Sequence, residues 1–409
     1  MMNTFSLALR NVLRNRHRSL ASILAIATGL AAINLFAGYI AHVYGGLQIQ
    51  AVAGERLGHL TILKSGMLME GKLHPKKYMF DQAEMARVRK VVEASGGVRL
   101  LSPRISVSGM ASNGNASTIF IGEGIVAEDS RMLREGLYDD AGGKLDPAQK
   151  YGIAVSADLA KLLHYQVGST VTLMTSTIDG QANAMDAQII DVFNTGNANT
   201  NDKYLVMPFS FVQVLLDTER AERFVVLLAD ETQLEAKRKQ LQSQLAAAGF
   251  DVEIKTWKEL SSFYTQVRNL FDMIFAFIAS IVFVIAAMSI ANTISMTVIE
   301  RTREIGTVRA LGMRTFGVVR LFSFEAAWMA AFGIGIGLAV TVLLAWLVNR
   351  SGISYVPPNS SYAVELLVDL DWGRIGMVAL VVMLLSLAAA ILPSLKAARR
   401  NIVDALAFA

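Results

Sequence analysis

Four long apolar segments, a polar stretch over residues 45–270 and basic residues gathered beside the segment ends predict a membrane α-helical protein. It has four transmembrane helices, arranged one plus three, with a large α+β domain inserted after the first. Three folding regions follow: residues 1–44 with the first helix, residues 45–270 as the inserted domain with a stalk helix, and residues 271–409 with helices two to four. The mean hydropathy of +0.42 is an average over these unlike parts.

Each apolar segment meets the length a bilayer demands. The hydrocarbon core is roughly 30 Å thick, which at about 1.5 Å per helical residue calls for about 20 apolar residues. Residues 19–41, 273–298, 321–348 and 375–395 all reach this. A helix buried in a soluble core rarely passes about 15–20 residues and seldom lacks a polar face. Arg10, Arg14, Arg16 and Arg18 ahead of the first segment resemble the start of a cleaved secretory signal. The apolar part of such a signal runs only about 7–15 residues, so Ser19 to Ala41 is expected to be a retained anchor.

Charge sets the expected topology. Arg10 to Arg18 precede the first span, Arg301, Arg303, Arg309, Arg314 and Arg320 fill the second link, and Lys396, Arg399 and Arg400 follow the fourth span. The 349–374 link is net acidic, with Glu365, Asp369 and Asp371 against Arg350 and Arg374. The positive-inside rule then puts both termini and the 299–320 loop in the cytoplasm and residues 45–270 outside. The net charge of +4 reports topology and not nucleic-acid binding.

Within the inserted domain, alternating or β-branched runs predict strands at residues 59–63, 99–107, 117–125, 169–175, 187–193, 204–207, 223–228 and 251–254. Asp81 with Glu84 forms a capping-box pattern opening a helix to Ala94, ended by Gly96-Gly97. Ser156 is placed to cap a short helix through Leu163, and Glu231 to Ala248 reads as a polar helix stopped by Gly249. Asn194 to Asp202 reads as an exposed loop. From Trp257, apolar residues at spacings of three and four run without Gly or Pro into the second apolar segment, which predicts one continuous stalk helix.

Catalytic chemistry is missing from the pattern. With no cysteine, disulfides, thiolate metal sites and cysteine nucleophiles are excluded. His17, His42, His59, His74 and His164 lack metal-ligand spacing. Gly66 with Gly71-Lys72 approaches a phosphate loop, but Leu73 stands where a hydroxyl must hold magnesium, so a solvated turn is expected. Glu325 is the one carboxylate within the spans, near the start of the third, and anchoring at the membrane interface is the expected role rather than proton relay. Gly333, Gly335 and Gly337 put small residues on the third span, where helix backbones approach closely.

The link between the second and third spans, Val298 to Arg314, is a short amphipathic helix by its periodicity. Ile305, Val308 and Leu311 or Gly312 fall on one face, and Glu300, Arg301, Arg303 and Glu304 largely on another. Such a helix lies on the lipid surface or presents its charges to a partner; periodicity leaves both open.

The run Glu300–Gly312, with the small-residue span behind it, resembles the permease domain shared by the macrolide-exporter (MacB), lipoprotein-release (LolC/LolE) and FtsX families, the type VII ABC transporters. Gly152 to Ser156, Ala160 to Leu163 and Val167 to Val171 are similar to that family's periplasmic core domain, and Pro393 to Arg400 with Asp404-Ala405-Leu406 to its C-terminal tail. Asn401-Ile402 departs from the family's Asp-Pro, and the expectation is a permease without a fused ATPase domain, as in the split lipoprotein-release or FtsX arrangement.

The resemblance implies a non-catalytic permease subunit in the bacterial inner membrane, binding neither cofactor nor metal itself, with ATP and Mg held by a separate ABC ATPase of the LolD or MacB type. It implies a second permease copy or homologue, and a periplasmic adaptor, carrier or lipoprotein as further partner, besides membrane lipid. Glu300, Arg301, Arg303, Glu304, Gly306, Arg309 and Gly312 would form the ATPase-coupling helix. Function is then mechanotransmission, for lipoprotein release or envelope export; the alternatives are an FtsX-like switch on a cell-wall hydrolase and a drug or peptide efflux permease.

Overall fold

The computed structural model describes residues 4–14, 16–71, 73–137, 141–399 and 405. They form two compact units, a helical one (residues 1–43, 268–354 and 365–409) and a β-rich one (residues 44–267 and 355–364).

Four helices are long and apolar enough to cross a membrane. The first span is the helix Arg16–Ile49, which runs on into a π-helical turn, Gln50–Gly54. The second is Ser262–Glu300, the third Thr315–Arg350 and the fourth Trp372–Ala398. Ile26, Leu30, Ile33, Ile290, Ile294, Phe322, Met329 and Ala390 share their buried core. Of the third-span glycines at 333, 335 and 337, two serve close approach. A β-carbon at Gly333 would stand 2.7 Å from the Ile26 side chain, and one at Gly337 2.9 Å from the Ala27 carbonyl, whereas Gly335 faces open space. The Ser22 hydroxyl bonds Thr293 Oγ1 at 2.7 Å, a polar tie between the first and second spans.

The β-rich unit is built on nine strands: β1 Leu60–Lys64, β2 Val98–Ser112, β3 Ser117–Ile125, β4 Gly152–Ser156, β5 Thr170–Ser176, β6 Ala182–Phe193, β7 Tyr204–Pro208, β8 Arg223–Leu228 and β9 Val252–Thr256. The order is β3-β7-β4-β6-β5-β2-β8-β1-β9, and β2 also pairs with β3, so six strands close a ring. Val107, Phe120, Ile153, Val155, Leu173, Ile189, Leu205 and Met207 form the core of that lobe. The other lobe is the sheet β2-β8-β1-β9, whose core includes Val88 and Val92 of the helix Gln82–Ala94 and Leu241 and Leu245 of the helix Leu234–Ala247. Asp81 and Glu84 make the expected capping box, and Gly96 and Gly97 both have positive φ.

Three local expectations are corrected. The stalk is not continuous from Trp257: a short helix, Trp257–Leu260, ends at Ser261, whose backbone is extended, and the long helix restarts at Ser262. Trp257 is buried against Tyr264, and the Ser261 hydroxyl accepts the Tyr264 amide, so the chain turns to keep the indole in the core. Ser156 precedes its helix without capping it, because its hydroxyl accepts the Tyr204 amide at 3.0 Å. The Asn194–Asp202 segment is largely not exposed. Thr195 and Asn201 are buried, and Asn201 donates to Asp158 and accepts from the Thr195 amide.

Strand β2 serves both lobes, and the crossing is charged. Its first half pairs with β8 through Arg104, and its second half with β3 from Ile105 onward. Arg104 stands opposite Arg223, an unfavourable like-charge pairing. Glu123 of β3 lies between, bonding Arg56 at 3.4 Å and Arg223 at 3.2 Å. Arg104 is fully buried, none of its side-chain nitrogens has a hydrogen-bond partner, and burial pushes its guanidinium down to about 10.

Two outcomes are expected in thermal unfolding of the full-length chain. Gly333→Val lowers stability by about 1–3 kcal/mol through overpacking, while Gly335→Ala is neutral or stabilising by up to about 1 kcal/mol. Glu123→Leu leaves Arg56 and Arg223 without their shared carboxylate and costs about 3–5 kcal/mol; Arg104→Met, which removes a buried charge, is neutral or stabilising. The sign of Arg104→Met is the decisive measurement.

Candidate coupling site

The link between the second and third spans folds as two sharp corners around a short helix. The second span ends at Glu300, Arg301 leaves helical geometry with φ −104° and ψ 15°, and the helix Thr302–Ala310 follows. Thr302 is buried, and its hydroxyl donates to the carbonyls of Val298 and Ile299, which fixes the first corner. The second corner is a glycine turn. Gly312 has φ +102°, its amide bonds the Arg309 carbonyl, and the Met313 amide bonds Val308.

The faces differ from the expected ones. Thr302 and Gly306 are buried, and Ile305 and Arg309 partly so, with Val298, Thr302, Ile305 and Arg309 packing near Ala397 and Ala405. Gly306 leaves that face small enough to sit close. Val308 and Leu311, expected on one face with Ile305, are exposed, Leu311 at 82%, while Ile305 is partly buried. They share the outer surface with Arg303, Glu304 and Thr307. The inward face was misread because it is made of a threonine, a glycine and an arginine stem, which a count of large apolar residues passes over.

Of the seven residues picked from sequence, Arg303 and Glu304 lie on the open surface and Gly312 at the exposed turn. Glu300, exposed, pairs with Arg18. Gly306 and Arg309 belong to the packed side, and Arg301 faces both ways. Its Nε bonds Glu304 at 2.8 Å and its Nη1 bonds Glu325 at 3.1 Å. Glu325 is held by protein groups: its side chain is 4% exposed, and Oε1 also accepts Asn11 Nδ2 at 2.6 Å. Sequence reading missed Asn11 altogether; the available signal was a lone carboxylate in an apolar span, which requires a donor.

His59 and the Gly66 turn are engaged within the fold. His59 donates from Nε2 to Glu231 at 2.8 Å and accepts the Leu228 amide at Nδ1. The Gly66 amide donates to the Glu253 carboxylate, a negative group where a phosphate would have to sit. Lys72 and the tail residues Arg400, Asn401, Ile402, Asp404 and Leu406 lie outside the described residues. Among the described residues, no three His, Cys, Asp or Glu side chains gather as metal ligands.

Two family comparisons bear on the whole arrangement. The MacB-like periplasmic core domain matches residues 19–244, more than half of the chain, and the FtsX-like permease C-terminal domain matches residues 276–402. The chain belongs to the MacB/FtsX/LolC family of ABC transporter permeases. The permease is 20% identical to an uncharacterized ABC transporter permease of Methanocaldococcus jannaschii, over 88% of each chain. It is 23% identical to the lipoprotein-releasing system transmembrane protein LolC of Neisseria meningitidis, over 78% of this chain and 80% of that one. The periplasmic region of MacB from Actinobacillus actinomycetemcomitans aligns with 16% identity and a TM-score of 0.36, covering 50% of this chain and 91% of that structure. Membership of the permease family implies an ATPase partner.

Proposed function

We propose that this permease transmits motion from a separate cytoplasmic ATPase to its β-rich unit on the far side of the membrane, in lipoprotein release or related envelope export. The carrying observation is the exposed surface of the helix Thr302–Ala310, where Arg303 and Glu304 flank Val308 and Leu311 between two tight corners. An apolar pair rimmed by charges is the composition of a docking patch, with the apolar side chains supplying most of the affinity. The corners at Arg301 and Gly312 join that helix to the second and third spans, so a push on it reaches both.

The basic residues of this loop and of the chain ends support placing this surface and both termini in the cytoplasm. Scarcity of charge along the spans supports a transporter that moves its far domain instead of conducting substrate through the bilayer. A second permease copy or homologue completes the assembly on this reading. The Neisseria relative, matched over most of both chains, favours a lipidated or amphipathic cargo.

Affinity purification of the tagged full-length chain from its own membrane tests the docking surface. An ABC ATPase co-purifies with the parent, and Glu304→Lys or Val308→Asp lowers its yield at least tenfold at unchanged membrane abundance. A central contact is worth about 2 kcal/mol, or roughly 30-fold in Kd. Undiminished co-purification in both variants overturns the assignment.

A further inference from the structure

We propose that Glu325 is a positioning residue for the helix Thr302–Ala310, tying its first turn to the third span and to the N-terminal helix Thr4–Arg14. The proposal rests on the coupling reading above and extends it. A displacement of the coupling helix passes sideways through one carboxylate, as well as along the chain through the two corners.

Three observations carry it. Arg301 lies at the corner between the second span and the coupling helix, outside regular helix geometry, so its backbone alone leaves the angle between them weakly specified. Its guanidinium supplies the missing restraint, with Nε held by Glu304 one turn into the coupling helix and Nη1 held by Glu325 of the third span. A planar fork gripped at two edges fixes direction as well as distance.

The same Glu325 oxygen accepts Asn11 Nδ2, and the N-terminal helix is seated independently on the third span. Phe5 packs against Phe324 and Trp328, Trp328 Nε1 donates to the Phe5 carbonyl, and Ala8 and Val12 are buried. The carboxylate thus joins three elements at one point.

The third observation is the choice of residue. Replacing a buried ion pair by apolar side chains of similar volume is commonly neutral or stabilising, so a carboxylate here is poorly explained by stability. It is well explained by geometry, since leucine fills the same volume without orienting Arg301.

Absence of cysteine from the sequence allows a clean test. A nitroxide spin label is placed at Val308→Cys in the otherwise unaltered full-length permease in lipid nanodiscs, with a second preparation labelled at Leu384→Cys, an exposed site on the fourth span. In Glu325→Leu the rotational rate at position 308 is expected to rise at least threefold, with a smaller rise in Glu325→Gln and Asn11→Ala. The label at 384 stays unchanged.

Immobility at 308 equal to the parent's in both Glu325 variants overturns the proposal. So does an equal loosening at 308 and 384, which would make Glu325 a general packing residue. If Glu325→Leu fails to fold, Glu325→Gln decides. Failure of the parent chain to bring down an ATPase would sink the docking assignment without touching the spin-label result, so the two can fall separately.

Discussion

An amide or carbonyl placed in hydrocarbon has no water to bond, and this constraint shapes the helical half of the molecule. Every spanning segment must satisfy its own backbone, so spans of 34, 39, 36 and 27 residues remain helical throughout. Their hydroxyl groups obey the same rule: Thr28, Ser295, Thr297, Thr341, Ser386 and Ser394 each return a hydrogen bond to a carbonyl four residues back. These hydroxyls thus find their partners within their own helix. At about 1.5 Å per residue, the second span is close to 60 Å long.

Conformational choice is correspondingly concentrated at the few places where the backbone leaves the helix. Arg301 and Gly312 bound the short helix Thr302–Ala310, and Ser261 divides the short helix Trp257–Leu260 from the long one. Each corner is fixed by a different device. Thr302 spans the first with its hydroxyl, a left-handed glycine makes the second, and a buried indole together with a serine cap makes the third. In the β-rich unit the comparable junction is the crossing of β2 from one lobe to the other, where Glu123 holds guanidinium groups from separate segments.

Much of this was legible in the chain because it depends on local pattern. The four spans follow from apolar length, and the capping box at Asp81 and Glu84 from spacing. Strands β3 and β8 follow from alternation or a β-branched run. Strand β4 escaped periodicity because all five of its residues are buried between β6 and β7, leaving no alternation to read. The inner face of the helix Thr302–Ala310 escaped because its burial is decided by neighbours far along the chain. Glu325 was visible as an oddity, but its partners are 314 and 24 residues away, and no pattern at fixed spacing encodes such a meeting. The break at Ser261 had no glycine or proline to announce it; the burial of Trp257 imposes it.

Ring closure in the larger lobe has a consequence for solubility. A strand with an unpaired flank is a template for another chain, and closing six strands on themselves removes that template where the sheet is widest. At the far end of this nine-stranded order, β9 is the outermost strand. It is five residues long and carries Glu253 and Lys255, charges that discourage a foreign strand from zipping on. The molecule thus carries its own protection against fibrillar assembly, confined to one short charged rim.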